Sequence, residues 1–184
     1  ATDFFGTLSL QVYASSTETG SSSVAQSTAQ DFDVFFINVL DPPTLTTSSQ
    51  TSSEDQNITS GISLGLRVAT PEGQQQEVYL TMVGSDGSDA AVSEFYSLFG
   101  TSLDDDGQIV DGSIVEIAKD SSNFFAIDTS QISISSLKLR VQENYSSYRA
   151  SDDTADTFRL KARALEEGSG SEPSQYATSD FTVT

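Results

Sequence analysis

Apolar and polar residues alternate along this chain with a period of two, in one short run after another. Successive side chains of an extended strand point to opposite faces, so this pattern buries one face of a sheet and leaves the other to water. A helix would need apolar residues every three or four positions. Leu8, Leu10, Val12 and Ala14 form the first set, and Phe32, Val34 and Phe36 the second. In the second set Phe35 and Ile37 are apolar as well, as in a strand covered on both sides. Ile62 to Val68, Val78 to Met82, Ile114 to Ile117, Ile132 with Ile134, Leu137 to Val141, Phe158 to Ala164 and Phe181 with Val183 continue the series. Turn chemistry separates the runs at Asp41-Pro42-Pro43, Pro71-Glu72-Gly73, Asp86-Gly87, Asp106-Gly107, Asp111-Gly112 and Gly168-Ser169-Gly170. Many short strands at this spacing predict an all-β, antiparallel β-sandwich. One stretch departs: Ala91, Val92, Phe95, Leu98 and Phe99 are spaced for a short helix over 90–99.

The chain also repeats itself. Thr7-Leu8-Ser9-Leu10-Gln11-Val12-Tyr13-Ala14 returns as Thr157-Phe158-Arg159-Leu160-Lys161-Ala162-Arg163-Ala164. Each copy is followed by an acidic Gly/Ser-rich loop, and then Asp31-Phe32-Asp33-Val34 returns as Asp180-Phe181-Thr182-Val183. The displacement is 150 residues before the loop and, in this alignment, one fewer after it. Residues 1–42 therefore read as the closing β-hairpin of a preceding repeat plus a proline-stiffened linker. Residues 43–184 read as a complete sandwich of seven to ten strands ending in its own closing hairpin. A lone hairpin is marginal in water. Residues 1–42 are accordingly expected to complete a β-structure with other strands, in cis or by strand donation between neighbouring chains.

Composition narrows the functions. The 184 residues carry 27 acidic and 8 basic side chains, for a net charge of −19. Such a field repels nucleic acid and anionic lipid and favours hard cations such as Ca²⁺. Cys, His and Trp are absent. That disfavours zinc and copper sites and removes thiol and Ser-His-Asp chemistry. No run is long and apolar enough to span a bilayer. Ala1 opens straight into a strand-like pattern, so the segment is expected to lie inside a longer chain or to have lost its leader. No enzymatic role is expected.

The order of these motifs resembles the Ig-like, cadherin-like extender repeats of giant RTX-type bacterial adhesins. Those repeats close on a strand like residues 7–14 and a Gly/Ser-rich loop. A strand like Phe32-Asp33-Val34, a linker like Asp41-Pro42-Pro43-Thr44-Leu45 and an acidic step like Glu54-Asp55-Gln56 follow. Ile132 to Leu139 resembles the strand before the closing hairpin. The chain departs at Ala69 to Gln74, where the family carries an acidic turn, and Ala90 to Asp111 reads as an insertion. The resemblance implies an extracellular, cell-surface adhesion module that adjoins further repeats and is stiffened by Ca²⁺ at the junctions.

Asp41, Glu54 and Asp55 are the candidate ligands for such a junction, because Ca²⁺ needs six to eight oxygens and a linker can draw them from two modules. Asp104 and Asp106, in Asp104-Asp105-Asp106-Gly107, resemble the opening of a calcium loop. Counting from Asp104, however, the twelfth position is Val115 and Glu116 falls one beyond, so a plain acidic turn competes. Tyr96, Tyr145 and Tyr148 raise a carbohydrate-binding alternative, since aromatic faces stack on sugars. Lys119, Lys138 and Lys161 are candidates for isopeptide cross-links, with nothing local to mark the partner. Asn57-Ile58-Thr59 and Asn144-Tyr145-Ser146 match the glycosylation sequon.

Overall fold

A computed structural model describes residues 6–20, 22–36, 40–52, 60–70, 75–143, 155–165 and 174–184. It is an antiparallel all-β fold, as the alternation predicts. The described residues fall into two compact units, one covering 6–36 and the other 40–184.

The first unit is a long hairpin. Strand β1 (Gly6–Val12) pairs with β4 (Gln30–Phe36), and β2 (Ser15–Thr17) pairs with β3 (Val24–Gln26) further out toward the turn. Leu8 faces Val34 and Leu10 faces Phe32, so the alternation of both strands gathers Leu8, Leu10, Val12, Phe32, Val34 and Phe36 on one face.

The second unit is a sandwich. Its strands are β5 (Thr44–Thr46), β6 (Ile62–Ser63), β7 (Arg67–Ala69), β8 (Gln75–Val83), β9 (Asp89–Ala90), β10 (Tyr96–Leu103), β11 (Ile109–Ile117), β12 (Phe125–Ile127), β13 (Lys138–Val141), β14 (Asp156–Leu165) and β15 (Ala177–Val183). One sheet has the order β12-β8-β14-β15, with β9 on the end of β8, and the other has the order β11-β10-β13-β6. Strands β5 and β7 form a separate pair. The inward side chains of both sheets make one core, including Val78, Leu80, Tyr96, Leu98, Phe125, Leu137, Leu139, Phe158 and Leu160. The ring of Tyr96 meets Phe158 edge-on at 5.1 Å, and Phe158 stacks on Phe181 at 5.8 Å. Aromatic pairs in these two geometries add to the stabilisation from burial itself.

The free edge of β15 is covered from within the unit. Residues 47–52 run beside it: the Gln50 amide donates to the Thr182 carbonyl (2.9 Å), and the Thr184 amide donates back to the Gln50 carbonyl (3.0 Å). The opposite sheet ends in β11, which among the described residues pairs only with β10. That edge carries exposed Ile109, Val110, Ile114 and Val115. A register shift opposite Thr101 and Leu103 breaks its regularity, and such bulges make an edge a poor template for further pairing.

Three sequence expectations change. The stretch 90–99 is not a helix: it is the end of β9, a turn and the start of β10. Its spacing imitates a helix because Val92 and Phe95 belong to the turn, whereas Tyr96 and Leu98 alternate into the core. Residues 90–111, read as an insertion, supply β10, an interior strand of its sheet. Ile134 lies in a short 3₁₀ turn over Ile134–Ser136 and not in a strand. Ile132 makes only an isolated bridge to Ser102.

Candidate inter-module interface

The two halves of the sequence repeat can be compared bond by bond. In the first hairpin the Ala14 amide donates to Ser27 Oγ (2.9 Å), the Ser27 amide donates to the Ala14 carbonyl (2.8 Å), and Ser27 Oγ donates to the Thr28 carbonyl (3.2 Å). In the second hairpin Ala164 and Ser174 make the same three bonds, at 2.9 Å, 3.1 Å and, to the Gln175 carbonyl, 3.1 Å. In regular register Ala14 would face Thr28 and Ala164 would face Gln175. In each hairpin the bonded partner is instead the preceding serine, so both ladders slip by one residue at the same place. A slip of this kind is a designed feature of a hairpin and sets its twist.

Equivalence then extends along both strands. With Leu8 matched to Phe158, the cross-strand partner Val34 matches Phe181. Leu10 and Phe32 match Leu160 and Ser179, and Gly6 and Phe36 match Asp156 and Val183. On the outer face Ser9 and Asp33 match Arg159 and Asp180. Ser9 Oγ donates to Asp33 at 2.6 Å, and Arg159 grips Asp180 with two parallel bonds of 2.7 and 2.8 Å. The same acid therefore caps the same cross-strand position in both hairpins. The structural match places Val34, not Phe32, opposite Phe181. This corrects the sequence alignment by two residues in the second strand. The Asp-Phe pair common to both strands, Asp31-Phe32 and Asp180-Phe181, produces the offset. A shift of two leaves every side chain on its own face, so the pattern alone could not detect it.

Burial separates the two hairpins. Phe158, Leu160, Ala162 and Ala164 are fully buried, with β8 paired alongside, and the first three pack in the core shared with the opposite sheet. Their counterparts Leu8, Leu10 and Val12 are 40%, 38% and 55% exposed, and Phe32 and Phe36 are 47% and 42% exposed. Among the described residues β1 pairs with β4 and nothing else. Among the described residues the first unit thus leaves Leu8, Leu10, Val12 and Phe32 largely exposed on its apolar face, beside a β1 edge with no further strand.

The candidate metal ligands are placed as follows. Asp41 is exposed in the linker, between buried Leu40 and buried Pro43. Glu54 and Asp55 lie outside the described residues. Asp104 closes the β10–β11 turn: its Oδ1 accepts from the amides of Asp106 (3.1 Å) and Gln108 (2.7 Å), and its backbone pairs with Gln108 and Gly107. Asp106 is exposed in the same turn. The bonds of Asp104 are those of an acid serving a turn. Among the described residues no three acidic side chains gather as a cation would require.

The other motifs resolve differently. Tyr96 is buried against Phe158 and donates its hydroxyl to Asp156, so it offers no face to a sugar. Tyr145, Tyr148 and both sequon asparagines lie outside the described residues. An open groove of about 390 Å³ is lined by Glu94, Phe95, Ser97, Phe99, Arg140, Val141 and Gln142. The Arg140 guanidinium sits 4.0 Å from the centre of the Phe99 ring and already covers that aromatic face.

Lys119 donates to the carbonyls of Val92 (3.3 Å) and Ser93 (2.7 Å), and burial pushes its pKa down. Lys161 forms an ion pair with Asp89. Burial by itself would raise the Asp89 pKa, but bonds from Lys161 and Arg159 outweigh it and hold the group below the usual carboxylate value. An ionised carboxylate is a poor acyl donor, so this pair behaves as a salt bridge. It belongs to a polar layer on the outer face of β8, β14 and β15, which sequence inspection missed. There Glu77 accepts from Tyr79, Tyr176 and Arg163, while the Lys161 and Arg163 cations lie 4.8 and 4.7 Å from the Tyr176 ring centre. The legible signal was Arg159, Lys161 and Arg163 at alternate positions of one strand, in a chain otherwise poor in cations.

No protein-family model matches this chain, and no curated protein matches its sequence.

Proposed function

We propose that the chain is a structural extender module of a large bacterial cell-surface protein, placed outside the cell in tandem with further modules of its own kind. The observation that carries this reading is the duplicated closing hairpin, identical in its Ala–Ser bonding and in its cross-strand acid. A chain that holds one complete module and the closing hairpin of another has the periodicity of an array. A strongly negative surface suits a module that must stay apart from its neighbours at high local density. Calcium at the linker, with Asp41, Glu54 and Asp55 as ligands, would limit bending between modules.

Concatenated copies of the chain test the extender role by small-angle scattering. The expected result is a maximum dimension that grows by equal increments with copy number in millimolar Ca²⁺. Growth as a compact particle would overturn it. The alternative is a carbohydrate-binding module; of its three tyrosines Tyr96 is buried, and Tyr145 and Tyr148 lie outside the described residues. Specific retention on a glycan array would reverse that order of preference.

A further inference from the structure

We propose that residues 6–36 are the closing hairpin of a second β-sandwich equivalent to residues 40–184, with β1 laid antiparallel on that partner's counterpart of β8 so that Leu8 faces the equivalent of Met82, Leu10 that of Leu80 and Val12 that of Val78. The register follows from the matched hairpins. Phe158 faces Met82, Leu160 faces Leu80 and Ala162 faces Val78 in the complete unit, and these are the positions of Leu8, Leu10 and Val12. The occupant of the apolar face is thereby identified. What covers it is what covers Phe158 and Leu160: a β8 edge beside β1 and an opposing sheet above. The outer edge of β4 has a partner by the same argument. In the complete unit residues 47–52 run along β15, with the Gln50 amide on the Thr182 carbonyl, and Phe35 occupies the place of Thr182. The partner's own 47–52 segment would close that edge.

The occupant is therefore a sandwich body lacking its last two strands, with a gap the shape of one hairpin. A second complete copy does not qualify, because its β8 is already paired with β14. The proposal deepens the tandem reading and rests on it for the source of the partner.

A fusion chain tests it. Residues 40–155 are placed directly before residues 6–184, so that Gly6 follows Ala155 as Asp156 does in the complete unit. The protein has no cysteine, so a Leu80→Cys in the leading body and a Leu10→Cys in the hairpin are the two thiols present. The expected results are a disulfide between them under mild oxidation and slow amide exchange in the leading β8. That exchange should be retarded on the order of 100-fold or more relative to the same fusion without residues 6–36. The leading body followed by its own residues 156–184 is the complete unit itself. A leading body that stays unfolded before residues 6–36 therefore rejects this hairpin and overturns the proposal. So does a leading body equally protected with and without it. Moving the second cysteine from Leu10 to Leu8 or Val12 should abolish the cross-link to position 80, and equal yields at all three would overturn the register. A formed cross-link with compact concatemers would sink the extender role and leave strand completion standing. Rod-like concatemers without the cross-link would do the reverse.

Discussion

Gly100 lies in β10 against the 132–137 segment. A Cβ built there would sit 2.5 Å from Ile132 Cγ2 and 3.3 Å from Leu137 Cδ2. Ile132 is β-branched and held in a bridge to Ser102, so it has little freedom to move aside. Gly100→Ala should cost about 1–3 kcal/mol by overpacking, read from urea unfolding. An unchanged midpoint would mean that the segment yields. Glu77 supplies a prediction in pH. Burial alone would raise its pKa, but bonds from Tyr176, Tyr79 and Arg163 outweigh this and hold it below its ordinary value of 4.5. A depressed acid contributes stability that is complete above the unfolded value and is lost as pH falls through the folded one. The stability gap between the protein and Glu77→Gln should therefore narrow as pH drops from about 6 toward about 3. A gap constant over that range would show that the carboxylate charge is irrelevant. At the other end, burial and the bond to Glu77 push Tyr176 up to about 12 from 10.0. Its share of stability is full below 10.0 and is lost as pH rises toward the folded value.

At the scale of elements, the matched hairpins give a paired experiment. Leu10 and Leu160 occupy the same place in equivalent ladders, but Leu160 is fully buried and Leu10 is 38% exposed. Leu160→Ala should destabilise its unit by about 2–5 kcal/mol, through lost transfer energy and the cavity left behind. Leu10→Ala in the same chain should change stability by no more than about 0.5 kcal/mol. In the fusion that supplies the missing body, the cost of Leu10→Ala should rise into the core range. Equal costs for the two substitutions in the chain by itself would mean that the first hairpin is already covered. Burial is thus set by the neighbours an element has, since the two strands carry the same alternation.

At the scale of the whole molecule the prediction concerns calcium. A ligand that binds only the folded form adds about 2.7 kcal/mol at roughly 100 times its Kd. For a chain of this size that is a rise of several degrees in Tm. Thermal melting in millimolar Ca²⁺ and in chelator should differ by that much if Asp41, Glu54 and Asp55 hold the ion, and Asp41→Asn should remove the difference. Asp104→Asn should leave the calcium response intact, because the Asp104 carboxylate is occupied with its own turn. Coincident melts in calcium and chelator would remove the metal from the linker.

The fold class, the two-strand repeat and the apolar face of each strand were legible in the sequence because period-two alternation is a local property, written in adjacent residues. Leu8, Leu10 and Val12 announce a strand and its buried side wherever the strand ends up. Three things were not legible, each for the same reason. The stretch 90–99 read as a helix because turn residues and strand residues were counted in one window. The tertiary structure separates them by closing β9 onto β8 and β10 onto β13. The alignment of the second hairpin strand was two residues out, because a shift of two preserves every face and only cross-strand bonds reveal it. The polar layer around Glu77 and Tyr176 joins residues almost a hundred positions apart, and its one local trace, the alternation of Arg159, Lys161 and Arg163, does not name their partners. The sequence by itself determined which residues seek burial. Only the tertiary structure decided which of them receive it, because burial requires a second surface, and for Leu8, Leu10 and Val12 the described structure provides none.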